Sequence, residues 1–137
     1  MKIEIPKIVK PLALAGYAEE FGEQTLGVWV NPPRELLHKY TDCAALIKRL
    51  DEQINLLNQS KAPEEEITRL QGEAEEVRRQ LAEWYSIIWS QGDTPISTQE
   101  VISLFDAAQE SDPGFQTWLI SHTWEMIGGH REGRKKV

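Results

Sequence analysis

The chain has a single cysteine, Cys43. No internal disulfide can staple it, and such sparing use of cysteine fits a reducing compartment. Long hydrophobic runs are equally scarce. The longest, Leu12 to Ala15, falls far short of the roughly 20 apolar residues that span a bilayer, and Met1-Lys2-Ile3-Glu4 begins no apolar stretch of signal-peptide length. The expectation is a cytoplasmic protein with no membrane segment. Positive charge is short as well: 15 Lys and Arg stand against 22 Asp and Glu, for a formal net charge of −7. Nucleic-acid binding is disfavoured, because phosphate contacts need clustered cations.

The residue patterns that carry chemistry are missing too. His38, His122 and His130 have no zinc-like spacing with one another or with Cys43. No glycine-rich phosphate loop, dinucleotide fingerprint or nucleophile elbow is present. Cys43 lies on an apolar helix stripe, where a thiol behaves as a small hydrophobe, and His122 falls among packing residues. The plentiful glutamates gather in helix first turns and on outer helix faces, where solvation is their ordinary role. These absences lead to the expectation of a non-enzymatic protein with no cofactor and no metal.

What is present is pattern. With 137 residues, 40% hydrophobic content and five tryptophans, the chain reads as one folded domain over 1–137, because indole rings are large areas to bury. Its expected class is mainly α (α+β). Residues 1–33 read as a β-hairpin region. Ile3 and Ile5 alternate with charged residues, and Leu26, Val28 and Val30 share a face opposite Trp29. Pro6 and Pro11 restrict the first segment to an edge or to short pieces. A turn or short helix over 16–22 joins the two, and Asn31 or Pro32 is placed to start the next helix.

Residues 34–91 form the clearest element. Leu36, Tyr40, Cys43, Ile47, Leu50, Ile54 and Leu57 are spaced alternately four and three, a heptad seam. Asn58 to Pro63 breaks it with turn formers. Ile67, Leu70, Ala74, Val77, Leu81, Trp84 and Ile88 then repeat the pattern, with Pro63 at the first helical position and Glu64 to Glu66 suited to a helix N-terminus. Two matched seams joined by a short loop predict an antiparallel coiled-coil hairpin. Its far end is thinned by Gly72 and Ala74, whereas its base is crowded by Trp84, Tyr85, Ile87, Ile88 and Trp89. The base should therefore plug into the domain and the tip project.

Residues 92–131 predict a pair of shorter helices. Ser97 and Glu100 stand in capping-box register, with Ile96 and Val101 as a hydrophobic staple. Asp112-Pro113 starts the last helix, Phe115, Trp118, Leu119, His122, Met126 and Ile127 form its inner stripe, Trp124 falls to one side, and Gly128-Gly129 end it. Residues 132–137 make a basic tail. Indoles are common interface anchors, and cations at a helix end can clip an acidic partner. The expected partner-binding residues are thus Trp89, Trp118, Trp124, Arg131, Arg134, Lys135 and Lys136, with plain core packing as the alternative for the tryptophans and dipole pairing for the tail.

Three stretches taken together carry a family resemblance: Tyr17 to Pro33, ending in Val28-Trp29-Val30-Asn31-Pro32-Pro33; the helix around Trp84-Tyr85 to Trp89; and Asp112-Pro113 to Val137, with Trp118-Leu119, Thr123-Trp124 and His130-Arg131. In this order and size the chain resembles the tail assembly chaperones of long-tailed bacteriophages and prophages. The resemblance covers about half the chain, and the long hairpin departs from that family. It implies a non-enzymatic factor in the cytoplasm of the infected bacterial host, holding the tape measure protein before tail-tube polymerisation. The competing expectation is a structural tail or virion subunit that oligomerises and stays in the particle.

Overall fold

The two heptad seams pair as their spacing requires. In the computed structural model, which describes residues 2–133, helix α1 spans Arg34–Gln59 and α2 spans Glu64–Ile88. Every seam side chain on both helices is buried or half-buried. Pro33, rather than Asn31 or Pro32, caps α1, and Pro63 sits one position before α2 begins. The loop between them closes with two C-terminal bonds: the Ser60 N–H donates to Leu56 O and the Ala62 N–H to Leu57 O. That pattern needs a left-handed residue between them. Here it is Lys61, with φ of 57°, a conformation that glycine adopts at less cost.

The β region forms a four-stranded antiparallel sheet in the order β1 (Val9–Ala13), β2 (Thr25–Trp29), β3 (Trp89–Gln91), β4 (Thr94–Pro95). Pro11 lies on β1, which is an edge strand, where a missing N–H leaves no ladder bond unmade. Leu26 and Val28 of β2, with Val30 just beyond it, are buried on the inner face while Trp29 is half-buried outside. Two short 3-10 turns, Leu14–Gly16 and Glu19–Phe21, connect β1 to β2.

Four expectations need correction. Ile3 and Ile5 alternate with charged residues but belong to no strand, and the first strand begins only at Val9. The second helix stops at Ile88, and Trp89 turns extended (φ −99°, ψ 148°) to begin β3. The reading of 92–131 as a helix pair also missed β4 and its β3–β4 turn, a two-residue Gly92-Asp93 loop with glycine at positive φ (59°) between paired Gln91 and Thr94. The last helix, α4 (Pro113–Gly133), runs straight through Gly128 and Gly129. Each glycine weakens a helix interior by about 1 kcal/mol, but buried Ile127 and half-buried Met126 and His130 hold this segment against the domain.

Helix α3 (Thr98–Ser111) begins with the expected capping box, Ser97 and Glu100 each satisfying the other's backbone N–H. The buried side chains fall into two clusters. The larger joins the inner sheet face, the α2 base (Ala82 to Ile88) and the inner stripes of α3 and α4. The smaller lies along the hairpin and contains Leu50, Leu70, Ala74 and Val77, with Cys43, Ile47, Ile54 and Leu57 half-buried around them. Ala74, fully buried, lets the two helices approach closely there. Among the described residues no helix is long and apolar enough to cross a membrane.

Candidate protein-binding groove

The base of the hairpin is locked to the C-terminal helices by packed aromatic rings, of which Trp84, Tyr85 and Trp89 also donate hydrogen bonds. Trp84 stacks on Trp124 (5.3 Å between centroids) and donates its indole N–H to the Leu36 carbonyl at 2.7 Å. Tyr40 packs on both rings at 4.6 Å. The Tyr85 hydroxyl donates to that of Tyr40 at 2.9 Å. Burial, and then the neighbouring Tyr40 hydroxyl, push the Tyr85 phenol far above its ordinary range, so it stays neutral and works as a hydrogen-bonding core residue. Trp89 donates to the Thr123 hydroxyl at 3.0 Å, and that hydroxyl donates onward to Leu119 O at 2.8 Å. Bonding both ways satisfies Thr123, a polar side chain with no exposed surface.

These contacts decide what the expected partner-binding residues do. Trp89 is 1% exposed and presents nothing to a partner. Its place in that group is corrected: it is core. Trp118 is half-buried at another joint, where its ring lies against Tyr17 (5.6 Å) and His122 (4.3 Å). A methyl group on Gly16 would come within 3.3 Å of it. The Tyr17 hydroxyl donates to Asp112 at 2.5 Å across the same joint, and that bond raises the Tyr17 pKa. Trp124 is half-buried between Tyr40 and Trp84. Arg131 is exposed in the last turn of α4, while Arg134, Lys135 and Lys136 lie outside the described residues. Of the described positions, Trp89, Trp118 and Trp124 belong to packed joints and only Arg131 is exposed, so the fold does not gather these four into one surface.

The surface it does gather lies elsewhere. Between the hairpin and the α3–α4 pair runs a groove of about 790 Å³. Its apolar floor includes Ile47 of α1, Leu81 of α2, Ile102 and Phe105 of α3, and Ile120 of α4, all half-buried. Its rim carries charges of both signs, Glu75, Arg78 and Arg79 on the α2 side and Asp106 on the α3 side. Arg78 is bridged to Asp51 at 2.6 Å with both side chains about half exposed. A helix is 10–12 Å across and rises 5.4 Å per turn, so the groove has space for roughly two turns of a slim helix. Sequence reasoning missed this site because Ile102 and Ile120 fall outside the apolar stripes read for the two C-terminal helices, and helical periodicity does not show that side chains from separate elements border one gap.

A smaller cleft of about 430 Å³ lies where Leu14 and Phe21 meet Gln91, Ile96 and Leu104. Among the described residues no cluster of three His, Cys, Asp or Glu is arranged to hold a metal ion. Comparison with protein-family models, curated proteins and solved structures finds no match. The functional reading therefore rests on the groove and on the chain's own pattern.

Proposed function

We propose that this chain is a non-enzymatic assembly factor that binds an amphipathic helix of another protein in the groove between its helical hairpin and its C-terminal helix pair. The observation that carries the reading is the groove itself: an apolar floor under a space of about 790 Å³, rimmed by Glu75, Arg78 and Arg79 on one side and Asp106 on the other. Helix-in-groove recognition uses this combination, apolar anchors at i, i+3, i+4 and i+7 giving affinity and flanking charges giving orientation. The resemblance noted in the sequence makes the chain a tail assembly chaperone of a long-tailed phage or prophage. Its client is then the tape measure protein, a long helical chain, held in the host cytoplasm before tail-tube polymerisation.

Calorimetric titration with helical segments of a phage tape measure protein tests the proposal. Ile102→Asp should weaken binding at least tenfold while leaving circular dichroism unchanged; equal affinity for the variant refutes the groove. A second reading, a structural subunit that remains in the particle, is favoured by the exposure of Ile3 and Ile5, at 81% and 74%. Mass spectrometry of purified particles separates the two: a chaperone is missing, a subunit present at fixed copy number.

A further inference from the structure

The segment before the sheet is held firmly at its root and bare beyond it. Asn31 accepts from the Ile8 N–H at 2.8 Å and donates to the Pro6 carbonyl at 2.9 Å. The same Asn31 oxygen accepts from the Trp29 indole at 2.9 Å, and the Lys7 ammonium sits 4.7 Å above the Trp29 ring. Residues 6–8 are therefore fixed to the end of β2. Residues 2–5 make no hydrogen bond or ion pair among the described residues, and they carry the two most exposed large hydrophobic side chains of the described fold, Ile3 and Ile5.

Such an arm has unmet backbone donors and acceptors and an apolar face, the combination that templates strand pairing. The neighbouring edge strand β1 is guarded against it by Lys10 and Pro11. The arm upstream of Pro6 contains no proline, and its charges, Lys2 and Glu4, select a partner rather than exclude every one. In an antiparallel pair of two such arms with Ile3 opposite Ile3, Lys2 of each copy faces Glu4 of the other. All four isoleucine side chains, Ile3 and Ile5 of both copies, then lie on one face, and both cross-strand charge pairs are of opposite sign. Shifting the register to place Ile3 opposite Ile5 sets Glu4 against Glu4, which is repulsive. The sequence of the arm thus matches itself under a two-fold axis in one register.

We propose that residues 2–5 form an interaction surface for a second copy of this chain, pairing arm to arm as an antiparallel two-stranded ribbon centred on Ile3. The contact is small, below the roughly 1,200 Å² at which stable interfaces begin, so the association is of the weak, transient class. It uses none of the groove residues and does not depend on the groove reading.

Disulfide trapping and charge exchange test it, in the full chain with Cys43→Ser as background. Oxidation should convert Ile3→Cys to a covalent dimer, because the two sulfurs meet across the axis. Ile5→Cys, whose copies lie four residues out of register, should give less than a tenth as much. In sedimentation equilibrium Lys2→Glu and Glu4→Lys should each weaken self-association several-fold, and the double exchange should restore it. The arm lies outside both buried clusters, so these variants leave the fold intact. Equal trapping at positions 3 and 5, a double exchange no better than either single change, or a strictly monomeric parent chain at millimolar concentration overturns the proposal.

Discussion

Leu50→Asp should melt the outer hairpin and leave its base folded. Leu50 is 5% exposed and belongs to the smaller cluster, where only four side chains are fully buried. Truncation to alanine there removes about 2–3 kcal/mol, the low end for a buried leucine, because two helices can close partly around the gap. Aspartate adds the penalty of burying a charge, and Arg78 on the facing helix is already bridged to Asp51. Burial of each large side chain contributes about 1.5–3 kcal/mol, so so few of them cannot absorb that loss. The aromatic joint at the base belongs to the other cluster and keeps its packing. Far-ultraviolet circular dichroism should lose roughly a third of its helical signal while the near-ultraviolet aromatic signal persists, as local unfolding would give. Loss of both signals together would show one cooperative unit and refute the division into two clusters. Loss of neither would show that the seam is not buried.

Lys61→Gly should raise stability by about 1 kcal/mol in urea unfolding, because glycine adopts the left-handed loop position without a Cβ clash. Gly27→Val should destabilise the sheet by at least about 2 kcal/mol in the same assay, since even a Cβ would lie 2.5 Å from the Ser90 hydroxyl oxygen. Alkaline pH gives a third outcome. Tyr85 and Tyr17 both have folded pKa values above the ordinary 10.0, so the folded state keeps protons that the unfolded state loses. Stability is then full below pH 10 and falls above it, for Tyr85 by up to about 1.4 kcal/mol per pH unit. Absorbance at 295 nm from Tyr85 should appear only together with unfolding. Arg78→Ala should change stability by less than about 1 kcal/mol, as its bridge to Asp51 is largely exposed, yet weaken helix binding in the groove.

The elements most legible in the sequence were those whose signal is periodic. The 4,3 spacing from Leu36 to Leu57 and from Ile67 to Ile88 specifies both the hairpin and its buried stripe, because side-chain direction follows helical phase. The Ser97–Glu100 box was legible because it is a local hydrogen-bond exchange. What escaped was set by context. The alternation of Ile3 and Ile5 has strand character, but a strand needs a neighbour, and none lies beside it among the described residues. Trp89 continues the apolar run of α2, yet the Gly92-Asp93 turn and pairing with Val28 draw it into the sheet. Gly128-Gly129 carries a stop signal that packing of Ile127 overrides. The groove was illegible for a different reason: it is a gap between elements, and periodicity reports which face is apolar without saying whether that face is covered.

Hydrogen exchange on the chain mixed with the proposed client, a phage tape measure protein, tests the central claim most directly. The account predicts slowed exchange on both walls of the groove, around Arg78 to Tyr85 and around Ile102 to Gln109, with the hairpin tip near Lys61 unchanged. Protection confined to the tip, or no complex with that partner, would contradict it.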